Sequence, residues 1–162
     1  MLDEDTTFQV GDQVIHWIYG FGEIIQLDEK VLSGKPGKYY VVQMSDMILW
    51  VPMNEAGEHH LRLPTQAKDF KQLFNILASP GETLPPDRHA RRIYLMQLMN
   101  DGTLASICRV VRDLEHYKKD NKTNEYDHSI LERARGSLLT EWSVALSKPI
   151  QQVEHELNAI LV

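Results

Sequence analysis

The chain is predicted to be α+β: a small SH3- or Tudor-like β-barrel followed by an all-α domain of about five helices. Three observations predict this. Residues 8–63 hold short runs rich in Val, Ile, Tyr and Trp, separated by turn-forming residues. Beyond residue 63 the apolar residues recur at helical spacing instead. No internal repeat, low-complexity tract or coiled-coil heptad interrupts either half. The domains are accordingly drawn as 1–63 and 64–162, joined directly around Leu63–Gln66.

The strands come first. Gly11-Asp12 throws the chain into Gln13–Trp17, and Gly20-Phe21-Gly22 turns it into Glu23–Val31. Gly11 and Gly20 are the places where positive φ is expected, since only glycine adopts it without a steric penalty. Ser33–Gly37 is read as the next turn, followed by strands Lys38–Met44 and Ile48–Val51, with a short fifth at His60–Leu63. Five short antiparallel strands in so few residues suggest a small, strongly bent barrel.

The helices follow. Thr65 is the expected cap of a helix carrying Phe70, Leu73, Phe74 and Leu77, ended by Ser79-Pro80-Gly81. Asp87 caps the second, whose expected apolar face is Ile93, Leu95, Met96 and Met99, and Asn100-Asp101-Gly102 breaks it. The third uses Leu104, Ile107, Val111 and Leu114, one stripe at helical spacing. A polar loop leads to Asn124, which caps the fourth, with Asp127 placed for a capping box. Its stripe runs through Ile130/Leu131, Ala134, Leu138 and Trp142. The last starts near Pro149 and uses Val153, Leu157, Ile160 and Leu161.

At 162 residues the chain has enough surface to bury one good core or two small ones. No apolar run approaches the roughly 20 residues of a membrane helix, and the acidic start Met1–Asp5 is unlike a signal peptide. A cytoplasmic, membrane-free location is expected. The single cysteine, Cys108, excludes an internal disulfide and a Cys-x-x-Cys site, and is read as a small buried residue. Net charge is −6, unevenly spread. Residues 1–63 hold ten acids against four bases, whereas residues 88–122 hold eight bases against four acids. An acidic half followed by a basic island points to two separate tasks.

Catalytic and metal signatures are absent from the sequence. No paired acid–base carboxylates, Ser-His-Asp set or phosphate loop is present. His59-His60 point to opposite faces if extended and lack a partner cluster. The expectation is a binding protein with no enzyme activity, cofactor or metal. Arg88, Arg91 and Arg92 open a helix, where cations oppose the macrodipole. That misfit favours an anionic ligand over a merely solvated face. Arg112-Asp113 is expected to pair internally, Lys118, Lys119 and Lys122 to lie in a polar loop, Trp17 to be core or to pack a turn, and Trp142 to pack in the core. Alternation leaves open whether Leu49 or Trp50 faces out.

The ordered motifs resemble one family. Phe8-x-Val10-Gly11-Asp12-x-Val14, Gly20-x-Gly22, Tyr39-Tyr40-Val41-Val42 and Val51-Pro52 are similar to the polymerase-interacting domain of CarD/CdnL-like bacterial transcription regulators. A related module occurs in the transcription-repair coupling factor. Val110-Val111-Arg112-Asp113-Leu114 and Leu131-x-x-Ala134-x-x-x-Leu138-x-x-Glu141 resemble the family's helical half. The likeness runs from Phe8 to about Leu161.

The resemblance implies a non-catalytic regulator. Its barrel would dock on the RNA polymerase β subunit by a sheet edge, through Lys30, Trp50, Val51 and Pro52. Its helical half would reach promoter DNA at the upstream edge of the bubble, through Arg88, His89, Arg91 and Arg92, and change open-complex lifetime. Family members carry a wedging tryptophan in a segment like N-W-S-R-R-Y. The ungapped counterpart here is Asp87–Arg92, which puts Arg88 at that position, or His89 if the register slips by one. Trp50 likewise stands where arginine is frequent. The alternative reading is a protein-only adaptor that binds polymerase or another protein without touching DNA.

Overall fold

A computed structural model describes residues 8–53 and 61–161. The chain divides into two compact units, one ending at Pro64 and the other beginning at Thr65. The predicted α+β class is the observed one: the described residues form a five-stranded antiparallel sheet and then five α-helices.

The strands are β1 (Gln13–His16), β2 (Gly20–Leu32), β3 (Lys35–Gln43), β4 (Ile48–Pro52) and β5 (Leu61–Arg62), in spatial order β4-β3-β2-β1-β5. Gly11 and Gly20 have φ of 96° and 81°, as the turns require. The β2–β3 turn is tighter than the sequence suggested. Only Ser33 and Gly34 lie outside the ladder, both with positive φ, the signature of a two-residue I′ hairpin whose twist matches its strands. Pro36 and Gly37 are therefore strand residues, paired with Val31 and Lys30. A bulge between Ile24 and Gln26 bends β2. The inner face buries Val14, Ile24, Tyr40, Val42, Val51 and Leu61. At the β1–β2 turn His16 accepts the Ile18 and Tyr19 N–H groups through Nδ1, and Trp17 is half-buried beside the His16 ring.

The helices are α1 (Phe70–Ala78), α2 (Arg88–Asp101), α3 (Leu104–Asp120), α4 (Glu125–Leu146) and α5 (Ile150–Ile160). Thr65 does not cap α1. A short 3-10 turn at Ala67–Asp69 intervenes, and the Thr65 N–H donates instead to Glu141 of α4 at 2.9 Å. Asp87 and Thr103 cap α2 and α3, and Asn124 with Asp127 forms the full capping box on α4. Lys118 and Lys119 belong to the last turn of α3 rather than to a loop. The core gathers Phe70, Leu77, Leu95, Leu114, Leu138 and Leu157 around Trp142, whose ring lies 4.9 Å from that of Phe74. Cys108 is fully buried, which pushes its thiol up to about 12. Ile93 and Met96, expected in this core, are 46% and 41% exposed.

The V-R-D-L segment acts inside the unit. Arg112 bonds its neighbour Asp113 at 2.9 Å and donates to the Ile76 carbonyl and Ser79 hydroxyl, while Asp113 accepts the Glu82 N–H. These bonds tie the turn after α1 to α3. Among the described residues no helix is long and apolar enough to cross a membrane.

Gly22 tests the packing of the sheet. A Cβ there would sit 2.6 Å from Val42 Cγ1 and 3.1 Å from the Gln43 carbonyl. Gly22→Ala is expected to destabilise the β unit by about 1–3 kcal/mol, read as a lower urea midpoint of Trp fluorescence, with the helical circular dichroism transition unmoved.

Candidate polymerase and nucleic-acid interfaces

The first candidate surface is the outer face of β4 and its outer edge. Among the described residues β4 pairs only with β3. The Met53 N–H donates to Lys38 and the Met44 N–H to Met47. In an antiparallel pair the polar groups alternate in direction, so residues 49 and 51 also bond β3, while residues 48, 50 and 52 turn their backbone groups to the open side. Pro52 stands where its missing N–H would have faced outward, the one place a strand tolerates proline.

Side chains alternate too, and this decides between Leu49 and Trp50. Leu49 packs on the inner cluster. Trp50 lies on the outer face beside Val41, its cross-strand partner, with Tyr39 at 6.2 Å between ring centroids. The Lys30 ammonium sits 3.5 Å above the Trp50 ring, a cation–π contact that fixes both side chains. Lys30 and Trp50 thus share one surface, with half-buried Pro52 and exposed Ile48 on the same strand face. Val51 is a correction. Its side chain is 4% exposed and belongs to the inner core, because its parity is that of Leu49.

The second candidate surface is the start of α2. Arg88, His89 and Arg92 are exposed. The Arg92 guanidinium lies 4.5 Å over the Tyr126 ring. Arg91 is the second correction: it is buried and engaged. Its Nε and Nη2 donate to the two oxygens of Asp127 at 3.0 and 2.8 Å. Its Nη1 donates to the Pro85 and Pro86 carbonyls and to the Tyr117 hydroxyl. A buried guanidinium so fully paired has no free donor geometry for phosphate. The clue in the sequence is position: Arg91, Leu95 and Met99 are successive i+4 residues, and all three are buried. The expectation at His59-His60 falls outside the described residues.

The two units match two family descriptions in the same order. The CarD-like/TRCF RID domain matches residues 8–63, and the CarD C-terminal domain matches residues 72–158. The chain belongs to the CarD-like family of transcription regulators. It is also similar to a Bacillus subtilis (strain 168) protein named "Putative transcription factor YdeB", with 26% identity over 140 residues, covering 85% of this chain and 91% of that one. In this CarD-like chain the shared helical motifs serve as internal ties: Arg112-Asp113 holds the turn after α1, and Glu141 holds the segment before it.

The Arg91–Asp127 pair also sets a pH dependence. Burial pushes the Asp127 carboxyl up, but the Arg91 hydrogen bonds, the Asn124 N–H and the Arg91 charge outweigh it and hold the group below its ordinary value. The bond to Asp127 raises Arg91 in turn. A depressed carboxylate stabilises the fold above its unfolded pKa, near ~3.9, and that contribution is lost as pH falls through the folded value. The thermal midpoint of the helical signal should therefore fall progressively as pH drops below about 5 and through the depressed folded value. Asp127→Asn should cost about 3–5 kcal/mol at neutral pH, by leaving Arg91 uncompensated, and should flatten part of that acid slope.

Proposed function

We propose that this protein binds the β subunit of RNA polymerase through the outer face and outer edge of β4, and that its helical unit supports melted promoter DNA. The observation that carries the reading is the β4 edge, unpaired among the described residues, with Trp50 and Lys30 on one outer face, in a domain of the CarD-like/TRCF RID type. An added strand would bond the outward groups of Ile48 and Trp50, and side-chain contacts on the same face would supply selectivity. Aromatic anchors are frequent hot spots, so Trp50 in place of the family's arginine gives a more apolar but still strong seat.

The mechanism is tethering. Docking holds the helical unit near the duplex at an effective concentration of about a millimolar, so a few weak phosphate contacts are enough. Arg88, His89 and Arg92 are the proposed contacts, and unaided affinity for DNA is low and salt-sensitive because they neutralise few phosphates. The protein works in the cytoplasm, without catalysing a reaction. The engagement of Arg91 leaves a smaller cationic set and favours a second reading, in which the helical unit contacts a further protein. A promoter footprint unchanged at the upstream bubble edge would select that second reading.

Two measurements test the proposal. In a β-subunit pull-down, Trp50→Ala should weaken retention by about 30-fold, the scale of a hot-spot loss near 2 kcal/mol, and Lys30→Glu should weaken it as well. Undiminished retention by both variants removes the docking surface. Arg88→Ala/Arg92→Ala should shorten open-complex lifetime by about three- to tenfold without loosening polymerase binding.

A further inference from the structure

Glu141 is a charged side chain where the packing pattern asks for an apolar one. It lies on α4 between the core residues Leu138 and Trp142 and is 2% exposed. A carboxylate at that depth is costly unless hydrogen bonds offset its desolvation. One such bond comes from far along the chain: the Thr65 N–H donates to Glu141 Oε2 at 2.9 Å. Thr65 is the first residue of the helical unit. The nearest core anchors on either side of it are Leu61 of β5 and Phe70 of α1. Between them, Leu63 and residues 66–69 are exposed, Pro64 and Thr65 are half-buried, and the 3-10 turn at Ala67–Asp69 buries no side chain. Among the described residues, no other hydrogen bond joins residues 63–69 to a helix beyond α1. The Glu141 bond thus ends the connector between the units at Pro64. Without it the loosely held stretch extends to residue 69.

Resting on the tethering reading, we propose that Glu141 is a positioning residue that sets the length of the tether. By latching Thr65 it keeps the connector at Leu63–Pro64. Effective concentration falls with about the three-halves power of connector length once the chain exceeds the span it must cover. A short connector therefore lets weak contacts of the helical unit count. Buried in the core, Glu141 acts through Thr65 and not by touching a partner.

The test uses the full-length chain. Trypsin cleavage after Lys68, followed by mass spectrometry, reads whether the stretch is latched. Glu141→Ala removes the acceptor and Thr65→Pro the donor. Both should speed that cut about tenfold, the scale of one hydrogen bond to a carboxylate. Glu141→Gln keeps an amide acceptor and should stay near the parent rate. In open-complex assays Glu141→Ala and Thr65→Pro should shorten the lifetime about fivefold, with β-subunit retention unchanged. A Gly-Ser-Gly-Ser insertion between Leu63 and Pro64 lengthens the connector while leaving the latch and both cores intact. It should leave cleavage after Lys68 unmoved and still shorten the lifetime about fivefold, a combination that lost core stability does not produce. Unaltered cleavage in both Glu141→Ala and Thr65→Pro overturns the latch. A lifetime indifferent to the insertion overturns its role in the tether. Failure of the parent chain to be retained by the β subunit faults the docking reading alone, because the cleavage rates still decide the latch.

Discussion

The placement of α2 depends on one buried ion pair. This helix sends only Leu95 and Met99 fully into the apolar core. Tyr94 and Leu98 pack partly against that core, and Arg91 supplies the buried polar attachment, joining α2 to Asp127 of α4, to Tyr117 of α3 and to the carbonyls of Pro85 and Pro86. Asp127 serves twice, since it also closes the α4 capping box with Asn124. One carboxylate therefore fixes the start of α4 and the rotation of α2 together. With Arg91 turned inward, Arg88, His89, Arg92, Ile93 and Met96 are left on the outside. The composition of the outer strip is a consequence of what the inner face had to satisfy.

The β unit solves a similar problem with alternation. Every second residue of β4 serves the core, so Leu49 and Val51 hold the strand down while Trp50 and Pro52 are presented. Lys30 reaches over the indole from β2 and orders a long side chain that would otherwise cost rotamer entropy on binding. The two surfaces differ in character. One is an aromatic face beside an outer edge, suited to a protein strand, and the other is a helical strip with few cations. That division is consistent with the proposed tethering, in which docking of the β unit carries a weaker contact of the helical unit.

The fold was legible because both periods are strong in the sequence. Five strand-forming runs and five helical stripes have their observed counterparts, and the caps at Asp87 and Asn124 sit where their chemistry indicated. The errors share a cause: a residue's type was read without its neighbours in space. Three arginines in five residues look like one exposed set awaiting an anion, and only the packed position of Asp127 shows that the middle one is buried. Ile93 and Met96 looked like core because they are apolar, yet the inner positions of α2 were already filled by Arg91, Leu95 and Met99. In Ile48–Val51 both faces are apolar, so parity was undetermined until register with β3 settled it. The shortness of the Ser33-Gly34 turn was hidden by Pro36 and Gly37, which suggest loop but here complete a hairpin.

Pro52 has a consequence for solubility. A bare β border of aliphatic and aromatic residues invites copies of the same chain to stack on it without limit. Here the outward N–H groups of β4 come from Ile48 and Trp50, and the third outward position, Pro52, is a tertiary amide with no N–H to donate. A visiting strand finds two donor rungs and then a position without one, which limits how far a stacked copy can extend its ladder.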